Sequence, residues 1–251
     1  MNKTADTLTS IVASTASLWR GTKASPAPIQ PLQLLELYDM ENCPYCRVVR
    51  ELLTVLDIDA MIYPCPKGGK RYRAVVMEMG GKAQFPFLVD KNTGAQMYES
   101  ADIVAYLGKT YGKQGAMSSF RAFKLAGSMM SSLSRPGRGN RVRASREPEQ
   151  PLVLYSFESS PFSRPVRELL CELELPYELR STGKAMMKDM GPPALRAALF
   201  PDEPVRGRNR VALLERADKV QVPYLIDPNT RVDLFESADI VKYLTSTYAY
   251  P

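Results

Sequence analysis

The sequence contains no histidine. That absence excludes Ser-His-Asp hydrolases, Cys-His proteases and every metal site built on imidazole. Cysteine is scarce, at four in 251 residues. No apolar secretory leader precedes them, so they do not form the disulfide framework of a small secreted fold. No apolar run approaches the roughly 18–20 residues that span a bilayer. Acidic residues are fewer than basic ones, 27 against 33, and much of the resulting +6 charge sits in 135–146, RPGRGNRVRASR. No aromatic residue interleaves those arginines and no nucleic-acid-binding motif accompanies them. The segment therefore reads as a solvated, flexible linker, and no nucleic-acid partner is expected.

What the chain does contain, it contains twice. Residues 84–107, QFPFLVDKNTGAQMYESADIVAYL, match 221–244, QVPYLIDPNTRVDLFESADIVKYL, at fourteen of 24 positions. Upstream, LELYDMENCPYCRVVRELL (35–53) aligns with LVLYSFESSPFSRPVRELL (152–170). Cys43 falls on Ser160 and Cys46 on Ser163. The second copy carries twenty extra residues within 181–220, readable as a lid or a partner surface.

Hydrophobic spacing gives each copy the same elements. LQLLELYDM (32–40) reads as a buried strand. Val48, Val49, Leu52, Leu53 and Leu56 recur at helical spacing behind Pro44, which suits a first helical turn. AMIYP (60–64) is a second strand, and 70–79 a second helix. FPFLVD and AQMYE form a hairpin across KNTG, and Ser100 caps a last helix to about Tyr111. The order β-α-β-α-β-β-α predicts an α/β fold of two tandem thioredoxin-like domains. Leu8, Ile11, Val12, Thr15, Leu18 and Trp19 lie on one helical stripe, and Phe120, Phe123, Ala126, Met130 and Leu133 on another. Each is read as a leader helix for its repeat, in preference to a targeting peptide. The expected division is 1–115 for the first leader and domain, 116–150 for the second leader and the basic linker, and 151–251 for the second domain.

Cys43 is predicted at the mouth of a helix, where unpaired N–H groups and the helix dipole favour a thiolate. Cys46 lies one turn on and suits a resolving thiol. An inert buried pair and half a metal site are the alternatives. Zinc wants four ligands, and Cys65 and Cys171 do not form a second pair, so no metal is expected. Cys65, in PCPKGGK, should lie at the same sheet edge as Cys43, as an extra redox thiol or a packed small residue. Cys171 is expected in the core.

CPYC behind a strand, Pro86 opening the third strand and Glu99-Ser100 opening the last helix together resemble glutaredoxins and the N-terminal domain of glutathione transferases. The resemblance covers both repeats, with no all-helical transferase C-terminal domain after either. It implies glutathione as cosubstrate. The γ-glutamyl end would meet Glu99 and Ser100. The cysteinyl part would meet the Phe85 backbone beside a cis Phe85–Pro86 bond, and Tyr45 would also contact glutathione. Lys67 and Arg71 are the nearest cations for the glycine carboxylate. The second copy keeps Val222-Pro223 and Glu236-Ser237, with Ser160 where serine-type transferases hold the hydroxyl that stabilises the glutathione thiolate. The resulting expectation is a cytoplasmic glutathione-linked oxidoreductase. It would act on disulfide or glutathionylated protein substrates through Cys43 and Cys46, with a redox-silent second copy and the two repeats packing as a pseudo-dimer. Glutathione conjugation through Cys43 or Ser160, and a non-catalytic glutathione-binding scaffold or sensor, are the alternatives.

Overall fold

The computed structural model describes residues 3–112, 135, 137–189, 198–200 and 202–250. The second expected leader helix, 120–133, lies outside them. After α1 (Lys3–Ala16), the first copy runs β1 (Leu35–Asp39), α2 (Pro44–Leu56), β2 (Ala60–Pro64), α3 (Arg71–Gly80), β3 (Phe87–Asp90), β4 (Ala95–Met97) and α4 (Ser100–Thr110). The second runs β5 (Leu152–Ser156), α5 (Arg164–Glu172), β6 (Tyr177–Ser181), α6 (Arg208–Ala217), β7 (Tyr224–Asp227), β8 (Val232–Phe235) and α7 (Ser237–Tyr248). In each copy the first two strands pair in parallel across a helical crossover, and the hairpin adds two antiparallel strands. These are two thioredoxin-like domains, and no all-helical domain follows either among the described residues. Helix α2 buries Val48, Val49, Leu52, Leu53 and Leu56, begins on Pro44 and stops at Asp57. That residue turns left-handed (φ 53°) and returns its N–H to the carbonyls of Leu53 and Thr54.

The domains share one sheet. Its order is β4-β3-β1-β2-β6-β5-β7-β8, with β2 and β6 antiparallel and Ala60, Met61 and Ile62 opposite Leu179, Glu178 and Tyr177. Leu35, Leu37 and Ile62 belong to one continuous apolar core with Leu152, Leu154 and Leu179. Neither copy buries its inner strand alone.

The segment entering each copy crosses onto the other. Gly21 accepts from Ser159 N and Thr22 from Lys184 N, while Lys184 O accepts from Ala24 N. In the same way Gly139 accepts from Asn42 N and Asn140 from Lys67 N, while Lys67 O accepts from Val142 N. Arg20-Gly21-Thr22-Lys23-Ala24 and Arg138-Gly139-Asn140-Arg141-Val142 are therefore one strap used twice. Both glycines have positive φ, 71° and 61°. A Cβ on Gly21 would come within 2.8 Å of the Glu158 side chain. This overturns the reading of 135–146 as a solvated linker. Arg135 is buried and pairs with Glu168 at 2.6 Å, and Arg143 N bonds Glu172 O.

The expected face of α1 is also reversed. Leu8, Ile11, Val12, Thr15, Leu18 and Trp19 are exposed, and Ser10, Ala13, Ser14 and Ser17 are buried. The physical reason is what the helix lies on. Ser14 Oγ donates to Ser159 O at 2.9 Å and accepts from Arg164, and Ser17 Oγ accepts from Arg47 at 2.8 Å. A surface of carbonyls and guanidinium groups calls for small hydroxyls rather than apolar bulk. The extra residues of the second copy supply a clamp. Arg208 and Asn209, opening α6, bond the Asp59 carboxylate of the first copy at 2.7 Å each.

A polar lock occurs in both copies. Asp90, fully buried, accepts from Tyr106, Tyr111 and Asn92, and Asp227 accepts in the same way from Tyr243, Tyr248 and Asn229. Burial opposes the charge of Asp90, yet the bonds from Tyr106, Tyr111 and Asn92 outweigh it and hold the carboxyl below its ordinary range. Such a group adds stability above the ordinary carboxylate range, and that stability disappears as pH falls through the depressed value. Asp90→Asn will lower unfolding free energy by about 2 kcal/mol at pH 7, the scale of a bond to a charged group. The difference will shrink as pH falls below the ordinary carboxylate value, about 3.9. Urea titrations at pH 7 and through that range measure it.

Candidate active site

Strand register assembles the site. β1 ends at Asp39, whose partner on β2 is Pro64, so Met40 and Cys65 leave the sheet side by side, with Cys65 N bonding Asp39 O at 2.6 Å. Tyr38 pairs with Phe87, which brings the Phe85–Pro86 bond opposite the start of the Cys43 loop. Leu88 pairs with Met97, so Glu99-Ser100 arrives beside Pro86. The Cys43 loop, the proline and the Glu-Ser helix start thus meet at one edge of the sheet. β5, β6, β7 and β8 bring Ser160, Val222-Pro223 and Glu236-Ser237 together in the same way. Both X-Pro bonds are cis.

Cys43 is the N-cap of α2, with extended backbone (φ −84°, ψ 121°) and a sulfur that accepts from Cys46 N at 3.5 Å. Its thiol is drawn down to about 7. The Cys46 side chain acts first, burial opposes, and the N–H groups of Cys46 and Tyr45 and the Arg50 charge assist. Cys46 is fully buried, and burial followed by its bond to Cys43 pushes its thiol up. One thiol is thus lowered and the other, one turn behind it, is raised. In the second copy Ser163 N donates to Ser160 Oγ at 3.1 Å and Ser163 Oγ donates to it at 2.9 Å. Hydroxyls replace sulfur, both are buried, and the helix starts later: α5 begins at Arg164 with Ser163 as N-cap, whereas α2 begins at Pro44 with Cys43 as N-cap.

The remaining expected residues divide. Glu99 and Glu236 open α4 and α7 with matching positive φ, 62° in each, and each carboxylate is held by a glutamine, Gln84 or Gln221. The N-caps are these glutamates. Their side chains make no capping bond, and Ser100 and Ser237 are the first helical residues. Among the described residues no bond occupies the Ser100 hydroxyl, so capping does not account for it. Tyr45 is exposed, and Lys67 projects from the turn after β2, paired through its backbone to the strap. Arg71 is committed elsewhere. Its guanidinium donates to the carbonyls of Leu173 and Glu174, at 3.0 and 3.1 Å, and to Ser145 O at 2.5 Å, holding the domains together. Cys65 does share the edge but is fully buried against Tyr38, Tyr72 and Phe87, and burial pushes its thiol up, which makes it a packed residue. Cys171 is buried as expected.

Sequence reasoning missed a set of ions beneath the Cys43 loop. Arg50 pairs with Asp39, with Glu41 at 3.3 Å and with Glu158 at 2.9 Å. Arg167 pairs with Glu41 at 3.0 Å and Glu158 at 3.4 Å. Each arginine also bonds the carbonyl of the glutamate in its own copy, Arg50 to Glu41 O and Arg167 to Glu158 O. All are buried. The signal was in the repeat: Glu41 and Glu158 stand two residues before Cys43 and Ser160, and both helices read Val-Arg-Glu-Leu-Leu where an apolar stripe is required. Among the described residues no group of three or more Cys, Asp or Glu side chains could hold a metal ion.

Two copies of one thioredoxin-like frame, each with a cis-proline and a Glu-Ser helix start, are what comparison with known families finds. A family model described as glutathione S-transferase, N-terminal domain, matches residues 37–115 and again 154–251. The chain belongs to the glutathione S-transferase N-terminal domain family. No curated protein and no solved structure matches it. Within this glutathione-related family the chain is a tandem form, and among its described residues no helix is long and apolar enough to cross a membrane.

Proposed function

We propose that the protein is a glutathione-linked thiol-disulfide oxidoreductase of a reducing compartment, the cytoplasm, with its chemistry in the first copy. The observation that carries this reading is the Cys43–Cys46 pair, one thiol drawn down to about 7 at a helix start and the other buried and raised. Cys43 Sγ, as thiolate, attacks the glutathione sulfur of a mixed disulfide. The protein thiolate leaves and takes a proton, and Cys43 keeps the glutathione as a new disulfide. A second glutathione thiolate then displaces Cys43 and forms oxidised glutathione. Alternatively Cys46, once deprotonated, attacks Cys43 Sγ and expels glutathione, leaving a Cys43–Cys46 disulfide. The unoccupied Ser100 hydroxyl at a helix N-terminus, the amide-held Glu99 and exposed Lys67 fit the γ-glutamyl and glycine ends. In this reading the second copy is redox-silent, because a hydroxyl cannot form a disulfide. The two repeats form a pseudo-dimer within one chain.

The test runs reduction of a glutathione mixed disulfide beside conjugation of glutathione to chlorodinitrobenzene. Reduction without appreciable conjugation is expected, and the reverse result sinks the reading. Calorimetry on Ser100→Ala should show glutathione binding weakened by about 1–2 kcal/mol. Unaltered affinity would remove Ser100 from the site.

A further inference from the structure

We infer that the second copy, which lacks the Cys-x-x-Cys pair, is the positioning element of the Cys43 loop, acting through Arg167 on Glu41. The inference rests on Cys43 being the nucleophile proposed above. Glu41 stands two residues before Cys43, and each of its polar groups is taken. Its N–H donates to Cys171 Sγ at 3.5 Å, its carbonyl accepts from Arg50 at 3.0 Å, and its carboxylate accepts from Arg167 Nε at 3.1 and 3.2 Å. Asn42 N donates to Gly139 O at 3.4 Å, and Cys43 N closes the turn on Met40 O at 3.0 Å. Cys171 and Arg167 belong to the second copy, and Gly139 to the strap that leads into it. Arg50, which supplies the carbonyl bond, is itself held from the second copy by Glu158.

The arrangement repeats in reverse around the second copy. Glu158 N donates to Thr54 Oγ1 at 3.2 Å, and the Glu158 carboxylate meets Arg50 at 2.9 Å. Each copy therefore fixes the loop before the other's first thiol or hydroxyl. Stability alone is a weak reason to bury these ions, because such a set adds little over apolar packing of similar volume. Fixing one loop geometry is a use that apolar packing does not replace. A helix start favours a thiolate only while its N–H groups remain aimed at the sulfur. The second copy thus keeps the ions while lacking the Cys-x-x-Cys pair, because the ions act on Cys43.

The groups that bear on the Cys43 thiol are Cys46, the Tyr45 N–H and Arg50; Asp39 bears on Cys46 and Arg50, Glu158 acts through Arg50, and Arg167 acts through Glu41. The test measures iodoacetamide alkylation of Cys43 against pH by peptide mass spectrometry, in the full chain, together with thermal unfolding. Arg167→Met should raise the alkylation midpoint by about one unit, slowing reaction about tenfold at pH 6. Arg167→Lys should recover part of the shift. Leu225→Val, a core change in β7 away from the junction, should lower the unfolding temperature and leave the midpoint in place. An unmoved midpoint in Arg167→Met, or an equal shift in Leu225→Val, overturns the inference. If Arg167→Met does not fold, Glu41→Gln combined with Arg167→Met removes the pair without leaving an unpaired charge, and must show the same shift. Alkylation needs no glutathione, so an unmoved midpoint in an active reductase counts against this inference alone. A moved midpoint in a protein without reductase activity counts against the proposed function alone.

Discussion

Cys43→Ser will abolish reduction of glutathione mixed disulfides to the uncatalysed background, whereas Cys46→Ser will keep most of it. The asymmetry follows from the two thiol environments. With its thiol at about 7, against 9.0 for an unperturbed thiol, Cys43 carries about a hundredfold more thiolate at pH 6. Cys46, Cys65 and Cys171 are all pushed up by burial, so none substitutes for it. Iodoacetamide at pH 6 should therefore label Cys43 long before the other three. Cys46→Ser removes the internal resolving step but leaves resolution by a second glutathione, so it should lose dithiol substrates and retain glutathionylated ones. Preferential labelling of Cys46, or full activity in Cys43→Ser, would reverse these roles.

The elements of the fold were legible because short apolar strands, helical spacing and turn residues agree locally, and the repeat checks each against its copy. β2 falls on 60–64 as read, and α2 opens on Pro44. The sharing of one edge by Cys43 and Cys65 followed from the parallel strands, whereas the place of Pro86 and Ser100 came from the resemblance to glutaredoxins and glutathione transferases. What failed was long-range. The stripe from Leu8 to Trp19 has helical period, but period does not say which face meets the protein. The arginines of 135–146 have a linker's composition, and only the paired Arg-Gly motifs at 20–21 and 138–139 mark them as a strap. Arg71 reads as a ligand cation because its partners, Leu173, Glu174 and Ser145, lie 74 to 103 residues away, in the other copy and the segment leading into it. Glu41, Arg50, Glu158 and Arg167 went unread for the same reason. A charge on an apolar helical stripe looks like an error until the partner surface is known.

That buried set makes the second large effect. Arg50→Met should destabilise the protein by about 3–5 kcal/mol at pH 7.5, because the carboxylates of Asp39, Glu41 and Glu158 lose a shared buried partner. The sign of the pH dependence separates this from loss of packing. In the wild type Glu158 is held well below the ordinary range, since Arg167, Arg50 and Arg47 outweigh its burial. It therefore adds stability above about pH 4, which is lost only as pH falls through that depressed value. Asp39 already stands raised, to about 6, because burial outweighs Arg50. Without Arg50 its value rises further and that of Glu158 rises with it. A carboxyl raised in the folded state adds stability that is complete below its unfolded value, near 3.9 for Asp, and is lost as pH rises through the folded one. The variant should therefore be weakest at and above neutral pH and should recover toward the wild type between about pH 7 and 5. Adding Glu158→Gln should restore part of the loss at pH 7.5, since one unpaired charge is removed. Urea unfolding across that range measures all of this. A deficit that is constant with pH would mean that Arg50 acts through its volume, and the charge network would then not be what joins the two copies.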